Sequence, residues 1–174
     1  MKSPQIRIVR AQTLGQIDAV RLLFREYERF LRVNLCFQNF EAELAGLPGN
    51  YAPPWGALLL AMDGKRAAGC AALRKFGDGI GEMKRLFVRP EYRGQGLGRA
   101  LAMRILQEAI AAGYALMRLD TLARLKAAMR LYQSLGFKRT TPYCSNPLKD
   151  VVYWELALNR PLVQSAGPGA VSPG

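Results

Sequence analysis

A single mixed α/β domain is the fold class that this sequence predicts, and three observations carry it. Hydrophobic periodicity switches between strand-like and helix-like in the order β-α-α-β-β-β-α-β-α-β-β. A β–loop–α–β unit lies in the middle of that order, which makes two central strands parallel. The chain has 174 residues, enough for one domain with a core of ordinary size.

Each element has its own signal. "QIRIVRA" reads as a first short strand. Thr13 and Gln16 have the spacing of a capping box and open a helix that reaches Val33. Ile17, Val20, Phe24, Tyr27 and Leu31 form its apolar stripe, with charged residues between them. "FEAELAG" is a second, shorter helix stopped by Gly46 and Pro48, and Pro53-Pro54 keeps the following segment irregular. "GALLLAM" and "RAAGCAALRKF" are strands joined at Asp63-Gly64, a hairpin signal. After the turn "GDG" comes the strand "IGEMKRLFV", which Pro90 ends. Strict alternation would put Ile80, Glu82, Lys84, Leu86 and Val88 on one face, with Met83, Arg85 and Phe87 on the other. A helix then covers 97–112, with Leu101, Ala102, Ile105 and Ala109 as its inner stripe and Gly113 closing it. "YALMRLDTL" is a strand, "LKAAMRLYQSL" a helix stopped by Gly136, and "FKRTTPY" and "VVYWELAL" are the last two strands. Residues 161–174, rich in Gly, Pro and Ser, read as a disordered tail behind a domain over 1–160.

Composition removes several kinds of chemistry. Histidine is absent, which excludes Ser-His-Asp and Cys-His machinery and the commonest zinc ligand. The three cysteines, Cys36, Cys70 and Cys144, are far apart, so no disulfide framework and no metal site is expected; they read as reduced packing residues. The longest apolar run, Ala57 to Met62, falls far short of the roughly 20 residues of a membrane span. No apolar segment follows the N-terminus, so the expected location is the cytoplasm. The net charge of +12 points to an anionic partner, either a phosphorylated cofactor or nucleic acid.

The stretch "RPEYRGQGLGRAL", from Arg89 to Leu101, chooses between them. The first N–H groups of a helix lack intrahelical partners, and the helix dipole is positive there. Gly94, Gly96 and Gly98 would let a phosphate approach with no Cβ in the way, and Arg93 and Arg99 add charge. A Walker A string does not occur. A Rossmann fingerprint is matched by Gly94 and Gly96 but has Arg99 at its third position, although Asp120 lies near the distance of a ribose-binding acid. The pattern Arg-x-x-Gly-x-Gly is met by Arg93, Gly96 and Gly98.

In this setting the chain resembles the GNAT family of N-acetyltransferases. "LFVRPEYRGQGLGRALA" is similar to that family's acetyl-CoA motif over its whole length, and "LYQSLGF" at 131–137 is similar to its second motif. The order of elements from Ile6 to Leu158 agrees too, so the resemblance covers nearly the whole chain. It implies a single mixed-sheet acyl-CoA N-acyltransferase domain whose central parallel strands splay apart. It further implies that Arg93, Gly94, Gln95, Gly96, Leu97, Gly98 and Arg99 hold the pyrophosphate of acetyl-CoA. Main-chain groups of Leu86, Phe87 and Val88 would pair with the pantetheine arm. Tyr132 matches the family's tyrosine near the CoA sulfur; its bland alternative is a core aromatic. Glu82 matches the place of an acid that serves as base; its alternative is a salt bridge with Lys84 or Arg118. Leu125 stands where the family often has Asn.

The implied reaction is direct transfer of an acetyl group to a primary amine, with no enzyme nucleophile and no metal. Glu41, Glu43 and Asp120 are candidate contacts for a cationic amine, against the alternative of an ordinary solvated face. A small amine and a peptide amine both remain open as acceptor, and a homodimer remains open as assembly. Two other functions compete: a basic nucleic-acid-binding domain, and a CoA-binding sensor without turnover. No nucleic-acid module or Lys/Arg run is present, so specific nucleic-acid binding is not expected.

Overall fold

The computed structural model describes residues 5–158. The tail at 161–174, expected to be disordered, lies outside the described residues. Seven strands, β1 (Arg7–Arg10), β2 (Ala57–Asp63), β3 (Arg66–Gly77), β4 (Ile80–Val88), β5 (Leu116–Leu122), β6 (Lys138–Thr140) and β7 (Val151–Ala157), form one sheet in the order β1-β2-β3-β4-β5-β7-β6. β4 and β5 are parallel, and every other neighbouring pair is antiparallel. Helices α1 (Leu14–Leu31) and α2 (Phe40–Ala45) pack on one face; α3 (Leu97–Ala111) and α4 (Lys126–Ser134) pack on the other.

The local signals act as their chemistry requires. Thr13 and Gln16 form the reciprocal capping box of α1, and Arg32, in the left-handed region, ends the helix two residues before the expected Val33. β2 is buried on both faces, with Leu58 and Leu60 in the α1 core and Leu59 and Ala61 in the α3 core. A continuous apolar run is what such a doubly covered strand needs. β6 is shorter than "FKRTTPY", since Pro142 has no N–H to give a ladder.

Strict alternation fails in β4. Cys70 faces Phe87 and Ala72 faces Lys84, so two residues of β4, Arg85 and Leu86, stand opposite Ala71 alone. Arg85 takes φ 59°, the left-handed conformation of the extra residue in a bulge. The slip reverses the faces beyond it. Leu86 and Val88 join Met83 in the α3-side core, and Phe87 joins the α1-side core. Glu82 and Leu86 therefore do not share a face, contrary to the alternation expected.

The cysteines also depart from expectation: only Cys70 is a packing residue, whereas Cys36 and Cys144 are exposed. Burial pushes the Cys70 thiol up, so it stays protonated and donates to the Arg85 carbonyl at 3.3 Å, satisfying the bulge. In the native protein two thiols should react with a small aromatic disulfide, and the third only after unfolding. Absorbance of the released thiolate counts them, and fast reaction of all three would show that the bulge opens readily.

Candidate active site

Gly94 (φ 73°) and Gly96 (φ 79°) turn the chain through the left-handed region into α3. A β-carbon would strain either position. Tyr92 and Arg93 spend their N–H groups on Arg89 and Pro90. The next six, Gly94 through Arg99, donate to no protein acceptor among the described residues. The result is a row of unpartnered amides at the positive end of a helix, an arrangement that can accept an anion. Arg93 differs from its expected role. Its N–H is engaged, and its guanidinium donates to the Val88 carbonyl at 2.9 Å and lies 4.5 Å over the Phe30 ring. Arg99 stays beside the amides and donates to Ser134 Oγ at 2.9 Å.

Below this loop the sheet opens. β4 and β5 pair only at Ile80–Leu116, Gly81–Met117 and Glu82–Arg118, then part. The bulge at Arg85 bends β4 away. Arg89 N–H pairs with Ala68 on β3, so by alternation Leu86 and Val88 point their main-chain groups into the gap and Phe87 points away from it. A narrow cavity of about 50 Å³ fills the gap, lined by Leu86, Lys84, Arg85, Asp120, Thr121 and Tyr132 among others. Tyr132, on α4, is buried, stacks edge-on against Phe137 and has no hydrogen-bond partner among the described residues. Burial pushes its hydroxyl far above the ordinary tyrosine value, so it is a protonated donor. Leu125 caps α4 without a side-chain hydrogen bond and packs into the α1-side core. No amide side chain reaches the gap from that position.

On the α2 side the gap meets a charged cavity of about 170 Å³ lined by Glu43, Arg74, Phe76, Glu82, Lys84, Arg85, Asp120 and the loop Cys144–Asn146. Glu82 is 1% exposed. Its salt bridge is with Arg74, at 2.7 Å, and not with Lys84 or Arg118; Arg118 pairs with Glu155 instead. Tyr143 donates its hydroxyl to the other Glu82 oxygen at 2.9 Å. Glu43 accepts from Arg85 Nε at 3.2 Å and Nη2 at 2.6 Å, and from the Tyr51 hydroxyl. Asp120 accepts from Lys84 Nζ at 3.4 Å and from Asn146 Nδ2 at 3.3 Å.

Glu82, Glu43 and Asp120 are thus brought together, while Glu41 is not. It pairs with Arg25 on the exposed side of α2, the solvated-face alternative. Sequence reasoning missed Arg74, Lys84, Arg85 and Asn146 as lining groups and Tyr143 as a partner of Glu82. The one available signal was "TPYCSNP", a polar stretch with an aromatic residue between two prolines, long for a hairpin turn.

A profile of the Acetyltransferase (GNAT) family matches residues 18–137. An uncharacterized N-acetyltransferase of Schizosaccharomyces pombe is 43% identical over 162 residues, covering 92% of this chain and 99% of that protein. Among solved structures, an acetyltransferase of Salmonella typhimurium with its cofactor acetyl-CoA superposes with a TM-score of 0.63 at 22% identity, covering 95% of this chain and 99% of that one. An N-acetyltransferase of Thermoplasma acidophilum in complex with coenzyme A superposes with a TM-score of 0.70 at 16% identity, covering 88% and 99%. These two likenesses are of fold. No described helix is long and apolar enough to cross a membrane.

Proposed function

Since the chain belongs to the GNAT acetyltransferase family and is an acyl-CoA-dependent N-acyltransferase, we propose that it moves an acetyl group from acetyl-CoA to a primary amine by direct attack. One observation carries this reading: the six free amides from Gly94 to Arg99 stand at the head of a gap that ends between Tyr132 and a charged cavity. With family membership, the readings as a basic nucleic-acid-binding domain or a sensor without turnover give way to an enzyme.

The residues present fit acetyl-CoA, which supplies the acetyl group as an activated thioester. Amides of Gly94, Gln95, Gly96, Leu97, Gly98 and Arg99 hold the pyrophosphate, and the Arg99 guanidinium adds charge. Main-chain groups of Leu86 and Val88 take the pantetheine arm as an added strand. The Val88 N–H donates to the thioester oxygen as it gains charge. Tyr132 Oη–H protonates the departing thiolate. An amine of lysine-like basicity is only about one part in a few thousand neutral at pH 7, so it must lose a proton before attack. Glu82 receives that proton, directly or through one water. Arg74 and Tyr143 orient its carboxylate.

CoA and acetyl-CoA should both raise the melting temperature, because the phosphates supply much of the binding. At about 100 times Kd the stabilisation is about 2.7 kcal/mol. Tyr132→Phe should keep that shift and lower kcat by about 10²-fold or more, with little change in KM for acetyl-CoA. A missing shift with saturating CoA overturns the reading. An unchanged kcat with chemistry rate-limiting returns Tyr132 to the core.

A further inference from the structure

The charged cavity beside the gap is balanced. It is lined by three carboxylates, Glu43, Glu82 and Asp120, and three cations, Arg74, Lys84 and Arg85. Two of the pairs are closed. Arg85 gives Glu43 two hydrogen bonds, the shorter at 2.6 Å, and Arg74 gives Glu82 one from Nε at 2.8 Å with Nη2 in ion-pair contact at 2.7 Å.

The third pair is open. Lys84 Nζ touches Asp120 at 3.4 Å and makes no other hydrogen bond among the described residues. The two side chains are only 9% and 12% exposed. An ammonium has three N–H groups, so two of them have no protein acceptor. A loose ion pair shielded from water is a poor use of two buried charges, and inserting complementary charges between them is favourable. Lys84 and Asp120 also line the gap between β4 and β5, so this open pair lies where the two cavities meet.

We propose that the acceptor is a free amino acid, whose amine binds Asp120 and whose carboxylate binds Lys84. This rests on the acetyltransferase reading above and names its substrate class. A zwitterion adds no net charge to a balanced cavity and meets both members of the open pair. A polyamine or a lysine side chain would bring a lone positive charge up to Lys84. A peptide N-terminus has its carboxyl converted to an amide and leaves the Lys84 ammonium without an anion.

The test compares acceptors on the unaltered full chain. CoA release from acetyl-CoA is followed with free α-amino acids, the same amino acids as amides, the corresponding decarboxylated amines, and short peptides. For at least one amino acid, kcat/KM should exceed that of its amide by about tenfold or more. Lys84→Met should raise KM for that amino acid by at least about tenfold, should not raise KM for the amide, and should retain the melting shift with CoA. Equal or better use of the amide, the decarboxylated amine or a peptide overturns the proposal. So does a protein that shows the CoA shift but acetylates no amino acid. A protein with no CoA shift has failed at the acetyltransferase reading itself, which distinguishes the two failures. The comparison of substrates needs no variant, so it decides even if Lys84→Met does not fold.

Discussion

Gly96→Glu is expected to give a folded protein that no longer binds CoA. Gly96 is the N-cap of α3 at φ 79°, where a side chain costs about 1–2 kcal/mol of backbone strain. A β-carbon there meets nothing within 4 Å, so the strain is not compounded by a clash. The carboxylate would sit over the free amides from Gly94 to Arg99 and occupy them as an anion of its own. In the unaltered protein, ligand at about 100 times Kd adds about 2.7 kcal/mol. At about 2–4 °C per kcal/mol for a chain of this size, that is a melting shift of about 5–11 °C. The variant should show none. Gly98→Glu is the companion free of left-handed strain: its β-carbon lies 3.8 Å from Leu131 and Val88, in ordinary contact. Normal CoA binding by either folded variant would make the loop a mere turn.

Glu43→Gln is expected to cost about 3–5 kcal/mol of folding stability, the usual penalty for leaving a buried charge without its partner. Arg85 is 4% exposed at its side chain and sits on the bulge that opens the sheet. Burial by itself would raise the Glu43 pKa, but the Arg85 hydrogen bonds and charge and the Tyr51 hydroxyl outweigh it and hold the carboxyl below its usual range. A depressed folded pKa contributes stability above the unfolded carboxylate value of about 4.3, and that contribution is lost as pH falls through the folded value. Denaturant titrations of both proteins should therefore show a constant gap from neutral pH to about pH 5, narrowing in more acid solution. A gap below about 1 kcal/mol at pH 7 would mean that Arg85 is hydrated in solution.

Of the two variants, one alters the anion site without touching the acceptor cavity, and the other alters the cavity wall without touching the anion site. Loss of CoA binding with no more than about 1–2 kcal/mol of stability lost, and a larger loss of stability with retained CoA binding in the surviving folded fraction, would separate the two halves of the site experimentally.

What the sequence determined by itself was local. The Thr13–Gln16 box, the Asp63-Gly64 hairpin, the glycines that enter α3 and the inner stripe of that helix are each specified within a few residues. Their hydrogen bonds and periodicity are short-range, so they can be read without knowing the neighbours. The parallel pair β4 and β5 was legible for a related reason, because a crossover helix between two strands permits little else. The tertiary structure alone decided which side chains meet. The β4 bulge is set by pairing with β3, so no alternation within "IGEMKRLFV" could place Glu82 and Leu86 on opposite faces. Glu41 and Glu43, two residues apart on α2, parted because one faces solvent beside Arg25 and the other faces Arg85. Tyr143 and Asn146 reach Glu82 and Asp120 across 61 and 26 residues of chain. Contacts of that range depend on where the sheet carries each strand end, and a pattern read along the chain has no term for that distance.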